Sequence, residues 1–335
     1  MLKLLFELAS RLPLGLLHTA GVALGWLAYV VSPPVRQRLR GNLRQAGYDD
    51  PALLRAAVRE TGKSLAELPA VWFRPQAEAA ALMHDVDGSD LLDAAHAAGK
   101  GIIFVTPHLG CFEVTAQWYT QHHGPMTALF TPPRKSALAL IVMGGRGKEN
   151  LKLAAPTFGG VRTLLRALHK GEAVGILPDQ VPGRGEGEWA DFFGRPAYTM
   201  SLVDRLAEVS GATVILAYAE RLPHAAGYRG YVSLMPPRED GESAARHLNR
   251  ALEDLIRRCP SQYLWSYNRY KTPGGVAPPP PVPPPMALST PAPETLPPPA
   301  PERGAAPARQ AVPSASAPAP AAPPAPHPPQ RSPQP

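Results

Sequence analysis

The sequence predicts an α/β protein with a largely parallel or mixed central sheet flanked by helices, preceded by an N-terminal membrane helix. Three observations predict it. The runs IIFVT at 102–106, AVGIL at 173–177 and ATVILAYA at 212–219 are continuously apolar, as strands buried on both faces are. Helix-like stretches at 112–119, 161–170, 200–210 and 243–259 fall between or after them, and such alternation builds parallel sheets covered on both sides. Ahead of these, LPLGLLHTAGVALGWLAYVV at 12–31 runs for twenty residues without a formal charge.

That first segment just reaches across a hydrocarbon layer of roughly 30 Å at about 1.5 Å per residue, and its proline and glycines are tolerable there. His18 interrupts the run and leaves spanning and interfacial placement both open. Arg36, Arg38, Arg40 and Arg44 follow closely, whereas only Lys3 and Arg11, balanced by Glu7, precede. This bias puts the body on the cytoplasmic side if the segment spans. A cleaved signal peptide fits less well, because Glu7 sits in the would-be basic region and VVSPPVR is a poor cleavage site. Residues 51–84 read as helical, with Leu54, Val58, Leu65 and Leu68 near helical spacing until Pro69 interrupts them. YVSLM at 231–235 is a shorter strand candidate.

Of 43 prolines, 24 follow Ala277, which marks a solvated, partly polyproline II tail. The expected organisation is an anchor at 1–35, one α/β domain at 36–272 and a disordered Pro/Ala-rich tail at 273–335. The tail reads as a spacer, with PPPPVPPP at 278–285 as a possible ladder for an aromatic groove. Two distant cysteines, Cys111 and Cys259, support neither a zinc nor an iron–sulfur site and fit a reducing compartment. The formal charge of +7 is scattered without an aromatic-basic module, which argues against nucleic acid as a partner.

The residues that could carry chemistry gather where strands end and helices begin, the place where α/β folds collect functional groups. In GIIFVTPHLGCFEVTAQW a strand ends at Pro107–His108, and Glu113 falls in the first turn of the next helix. His108 could remove a proton from an attacking hydroxyl, Glu113 could support the imidazole, and the helix N-terminus could offer donors to a developing charge. A capping or buried histidine is the plainer alternative. Cys111, between Gly110 and Phe112, reads as a packed thiol rather than a nucleophile. Arg134 and Lys135 in TPPRKS suit phosphate or carboxylate, or simply face solvent. Asp179 follows the 173–177 strand at the same sheet edge and could cap its turn. Phe192 and Phe193 could line an acyl chain or pack in the core, with Arg195 nearby for a headgroup. GRGEG at 183–187 lacks the lysine and Ser/Thr of a nucleotide loop and reads as a flexible cover over the cleft.

HLGCFE at 108–113 matches the His-x4-acid motif of the lysophospholipid acyltransferase superfamily, and the chain resembles the Kdo-dependent lipid A acyltransferases within it. GEAVGILPDQVPGRG at 171–185, ADFFGRPAYTM at 190–200 and QYLWSYNRYK at 262–271 resemble that family's later blocks in order. The likeness spans about residues 1–272. It implies a glycerolipid-acyltransferase-like fold at the bacterial inner membrane, facing the cytoplasm. It also implies transfer of a fatty acyl group from acyl carrier protein to a hydroxyl of an anionic, Kdo-bearing lipid A precursor. His108 would then be the base supported by Glu113, with Arg146 and Asp179 binding substrate or orienting a group. No metal or cofactor is implied, and no His-Glu-x-x-His pattern is present. Leu109–Phe112 and the long tail depart from the family's usual pattern. The alternatives are an acyltransferase for a phospholipid, glycolipid or amino-acid lipid, and a non-catalytic membrane adaptor in which His108 and Glu113 are dispensable and the tail is not.

Overall fold

A computed structural model describes residues 2–131, 142–148 and 150–279. Arg134, Lys135 and almost the whole Pro/Ala-rich tail lie outside the described residues.

Two apolar helices, α1 (Leu2–Ser10) and α2 (Leu14–Val31), open the chain, followed by α3 (Pro33–Gln45) and α4 (Pro51–Ala66). The last is set by its cap: the Asp50 carboxylate accepts from the N–H groups of Ala52 and Leu53, with Pro51 in the first turn, where a missing N–H costs nothing. Pro69, expected to interrupt the helical run, sits in the first turn of a separate helix, α5 (Leu68–Phe73), and α6 (Gln76–Ala80) follows. The helical reading of 51–84 overran its end, because β1 begins at Met83 and runs to Asp87.

Helix α7 (Asp90–Ala97) leads to β2 (Ile102–Val105), then α8 (Phe112–His122), β3 (Met126–Leu129), β4 (Leu151–Ala154), α9 (Phe158–His169) and β5 (Ala173–Ile176). A hairpin of β6 (Gly187–Phe192) and β7 (Arg195–Met200) precedes α10 (Leu202–Ser210), β8 (Thr213–Arg221), β9 (Tyr228–Leu234) and α11 (Ala244–Arg258). Among the described residues the main sheet has seven strands in the order β1-β9-β8-β2-β5-β3-β4. Every neighbouring pair is parallel except β8–β9, so the sheet is mixed with a parallel centre. All four residues of β2 and of β5 are buried, which is why both read as unbroken apolar runs.

The ADFFGRPAYTM block forms the separate two-stranded β6–β7 sheet. Its turn residues, Phe193 and Gly194, both have positive φ (49° and 71°), the geometry of a tight two-residue hairpin whose twist matches its strands. Phe192 and Phe193 then pack with Trp265 and Tyr263 in the core rather than along the cavity described below.

Candidate active site

The register of the two central strands decides what meets at their ends. Strands β2 and β5 pair in parallel with Val105 opposite Ile176. His108 lies three residues past Val105 and Asp179 three past Ile176, each directly after a proline, so the two side chains leave the sheet together. Asp179 Oδ1 lies 2.8 Å from His108 Nδ1, and Asp179 Oδ2 accepts the His108 backbone N–H at 2.9 Å. Burial by itself would raise the Asp179 carboxyl, but the His108 charge, the two hydrogen bonds from His108 and the nearby Arg269 outweigh it and hold it below the usual carboxylate range. An ionised carboxylate only accepts, so Nδ1 carries a proton, and in the neutral imidazole it is then Nε2 that holds the free lone pair. Nε2 lies 3.1 Å from Gln180 Nε2, and both side chains line the cavity.

The loop between His108 and α8 is fixed at successive residues. Leu264 N–H donates to His108 O at 3.0 Å, Gly110 N–H to Gln262 O at 3.1 Å and Cys111 N–H to Ala219 O at 2.8 Å. Gly110 has φ +60°, and a Cβ there would collide with the Ala219 carbonyl, so only glycine fits. Its carbonyl accepts from Arg221 Nη2 at 2.7 Å. The Arg221 guanidinium is itself wholly buried and held by Glu67 at 2.7 Å on two nitrogens and by Glu60 at 2.9 Å. Tyr228 Oη donates to Glu67 at 2.9 Å, and His18 of α2 approaches the same carboxylate at 3.2 Å. Cys111 packs beside this cluster. Burial and the Glu67 charge push its thiol well above the usual range, so it is a packed, protonated thiol.

The expected pairing of His108 with Glu113 is not the one formed. Glu113 accepts from Trp72 Nε1 at 3.0 Å and from Arg146 Nε at 3.0 Å, and Arg146 Nη2 makes a second, short contact to its other oxygen. The Arg146 guanidinium also stacks on Phe130, 4.9 Å from the ring centroid. Thus two polar centres line one cavity, His108 with Gln180 and Arg146 with Glu113, and Asp179 backs His108 from outside the lining. The reason is positional, since Glu113 sits in the first turn of α8 while Asp179 shares the strand register of His108.

The cavity itself measures about 1170 Å³ and runs from these polar groups between apolar walls that include Phe104, Tyr119, Met126 and Ala217. Gly183, Gly185 and Glu186 of the glycine-rich segment and Lys271 also line it. Arg195, expected near a headgroup, is not there: it is exposed at the start of β7, its guanidinium 4.6 Å from the Tyr270 ring centroid. The turn at Phe193–Gly194 carries it outward. Trp72 and the Glu67–Arg221 pair escaped the sequence reading. A glutamate and an arginine inside otherwise apolar stretches, LAELPAVWF and AYAERL, were the signals available.

A family model for bacterial lipid A biosynthesis acyltransferases matches residues 4–272. The lipid A biosynthesis palmitoleoyltransferase of Escherichia coli (strain K12) is 30% identical over 219 residues, covering 64% of this chain and 70% of that protein. The lauroyltransferase of the same organism is 27% identical over 220 residues, covering 64% and 71%. Its myristoyltransferase is 23% identical over 201 residues, covering 58% and 61%. With the match extending over nearly all of the described body, the chain is an O-acyltransferase that belongs to the bacterial lipid A biosynthesis acyltransferase family.

Proposed function

We propose that this chain transfers a fatty acyl group from acyl carrier protein to a hydroxyl of a Kdo-bearing lipid A precursor, with His108 as general base. The observation that carries the reading is the His108–Asp179 pair, whose imidazole lines a largely apolar cavity. The acceptor oxygen attacks the thioester carbonyl, a C–O bond forms and the C–S bond breaks. The hydroxyl proton passes to His108 Nε2 and from there to the departing thiolate. Asp179 keeps Nδ1 protonated and stabilises the imidazolium that forms, as carboxylates do in hydrolase triads. The sequence likeness implied Glu113 in that supporting role, and the geometry favours Asp179 for it.

Glu113 instead orients Arg146, whose planar fork suits a phosphate or carboxylate of an anionic glycolipid. Helix α8 has no side-chain cap at its N-terminus, which supports its first-turn N–H groups as donors to the tetrahedral oxyanion. No enzyme nucleophile, metal or cofactor is required by this transfer. Helix α2 is long and apolar enough to hold the protein at a membrane, in keeping with attachment to the cytoplasmic face of the bacterial inner membrane.

The substrate pairing is tested by offering the purified protein acyl carrier protein loaded with mixed fatty acids, together with either a Kdo-bearing tetra-acylated lipid A precursor or a lysophospholipid. Product mass is then read. Gain of one acyl group on the lipid A precursor alone is expected. Acylation of the lysophospholipid instead would replace the acceptor, and acylation of neither would remove the donor.

A further inference from the structure

Helix α2 is apolar enough to span a bilayer, yet one of its faces is covered by the body from end to end. Leu14, Leu17, His18, Gly21, Gly25 and Tyr29 are buried, a stripe at helical spacing along its entire length. The covering element is α4, which runs antiparallel to it. Added Cβ atoms on Gly21 would meet Lys63 and Gly62, and on Gly25 would meet Val58 and Gly62, so the two backbones touch at glycines. His18 reaches the buried Glu67 at 3.2 Å, and Arg74 ties the α1–α2 corner by donating to the Ser10 and Leu12 carbonyls at 2.8 Å each. Phe6 of α1 packs edge-on against Phe73.

This docking bears on whether α2 crosses the membrane. Arg55 and Arg59 on α4 are exposed and Glu60 and Lys63 half-buried. A spanning α2 would draw these charges into the hydrocarbon core or else strip α2 off α4, exposing the buried Glu67–Arg221 cluster. Each charge at the bilayer centre costs at least about 2.5 kcal/mol. The opposite face of the two N-terminal helices is different. Leu4, Leu5, Leu8, Leu16, Leu24 and Leu27 are all 50–60% exposed. Basic residues border this face, Lys3 and Arg11 at its start and Arg36, Arg38 and Arg40 beyond its end, while Glu7 is the one acid before Asp49.

We infer that α1 and α2 together form a monotopic docking face that lies in one leaflet of an anionic phospholipid surface, without crossing it. The inference rests on the membrane attachment proposed above and specifies its geometry. Apolar side chains on one helix face with flanking arginines and lysines fit an interfacial helix buried to the level of the upper acyl chains.

The test uses the full chain with a nitroxide label at Leu16→Cys, Leu24→Cys or Val31→Cys, bound to phosphatidylcholine vesicles containing phosphatidylglycerol. Cys111 and Cys259 are buried, so labelling is directed to the new thiol. Depth is read from collision with oxygen and with a water-soluble relaxant. All three labels are expected at one shallow depth, within roughly 10 Å of the headgroups. Leu24→Cys near the bilayer centre, with Leu16→Cys and Val31→Cys about 22 Å apart near opposite faces, would overturn the inference and leave membrane attachment standing. Failure of the unlabelled protein to bind the vesicles would overturn both. A Leu16→Glu, Leu24→Glu, Leu27→Glu variant with unchanged circular dichroism should partition at least about tenfold more weakly, and unchanged partitioning also counts against the docking face.

Discussion

Asp179 is the residue on which the proposed chemistry turns, because its carboxylate holds Nδ1 and leaves Nε2 facing the cavity. Asp179→Asn keeps the shape and removes the charge, and its amide can donate to Nδ1 and stabilise the other tautomer. The expected result is a kcat lower by about 10²- to 10⁴-fold with little change in KM, measured in steady-state transfer assays. Equal loss from Glu113→Gln with retained activity in Asp179→Asn would restore the pairing that the His-x4-Glu spacing suggests. This part of the site was legible in the sequence once both strands had been read, since Pro-His and Pro-Asp end them at the same offset. The partner of His108 was not, because spacing along one segment says nothing about the register between two. Arg195 shows the same limit: it follows Phe192–Phe193 closely in sequence, yet the tight Phe193–Gly194 turn leaves it exposed and outside the cavity lining.

At the scale of elements, the Glu67–Arg221 pair joins the α4–α5 junction, β8 and the loop that carries His108, and His18 adds α2 to it. Burial works to raise the Glu67 carboxyl, and the Arg221 charge with its hydrogen bonds, helped by His18, holds it at about 2 instead. A carboxyl lowered on folding stabilises the protein above its unfolded value near 4.5, and that contribution is lost as pH falls through the window down to about 2. Glu67→Gln leaves Arg221 buried without its main countercharge, so a loss of about 3–5 kcal/mol at neutral pH is expected in denaturant unfolding. The same variant should show a flatter decline of stability across that acid window. The pair was hidden from sequence reading because its members are 154 residues apart. Strands β3 and β4 were missed for another reason: at four residues each, MTAL and LKLA are too short to show a period. The buried runs of β2, β5 and β8 were visible because the sheet centre tolerates only apolar residues on both faces.

Across the whole molecule, a mixed sheet holds the polar groups at one edge while its apolar side chains line a cavity of about 1170 Å³. If the cavity takes the acyl chain as proposed, its walls rather than the His108 site set the chain preference. Ala217, a small wall residue, is a place to test this. Ala217→Leu adds bulk to the apolar arm, and at about 0.8 kcal/mol per methylene excluded the preferred product should shorten by roughly two to four carbons. Mass spectrometry of the product reads the shift directly. The broadest claim, that one histidine drives acyl transfer, is tested most directly by comparing wild-type and His108→Ala protein. Both are incubated with acyl-loaded carrier protein and the Kdo-bearing tetra-acylated precursor, and product mass is read. Wild type should gain one acyl group and the folded variant none above background. An undiminished gain in His108→Ala would contradict the assignment of His108 as the base.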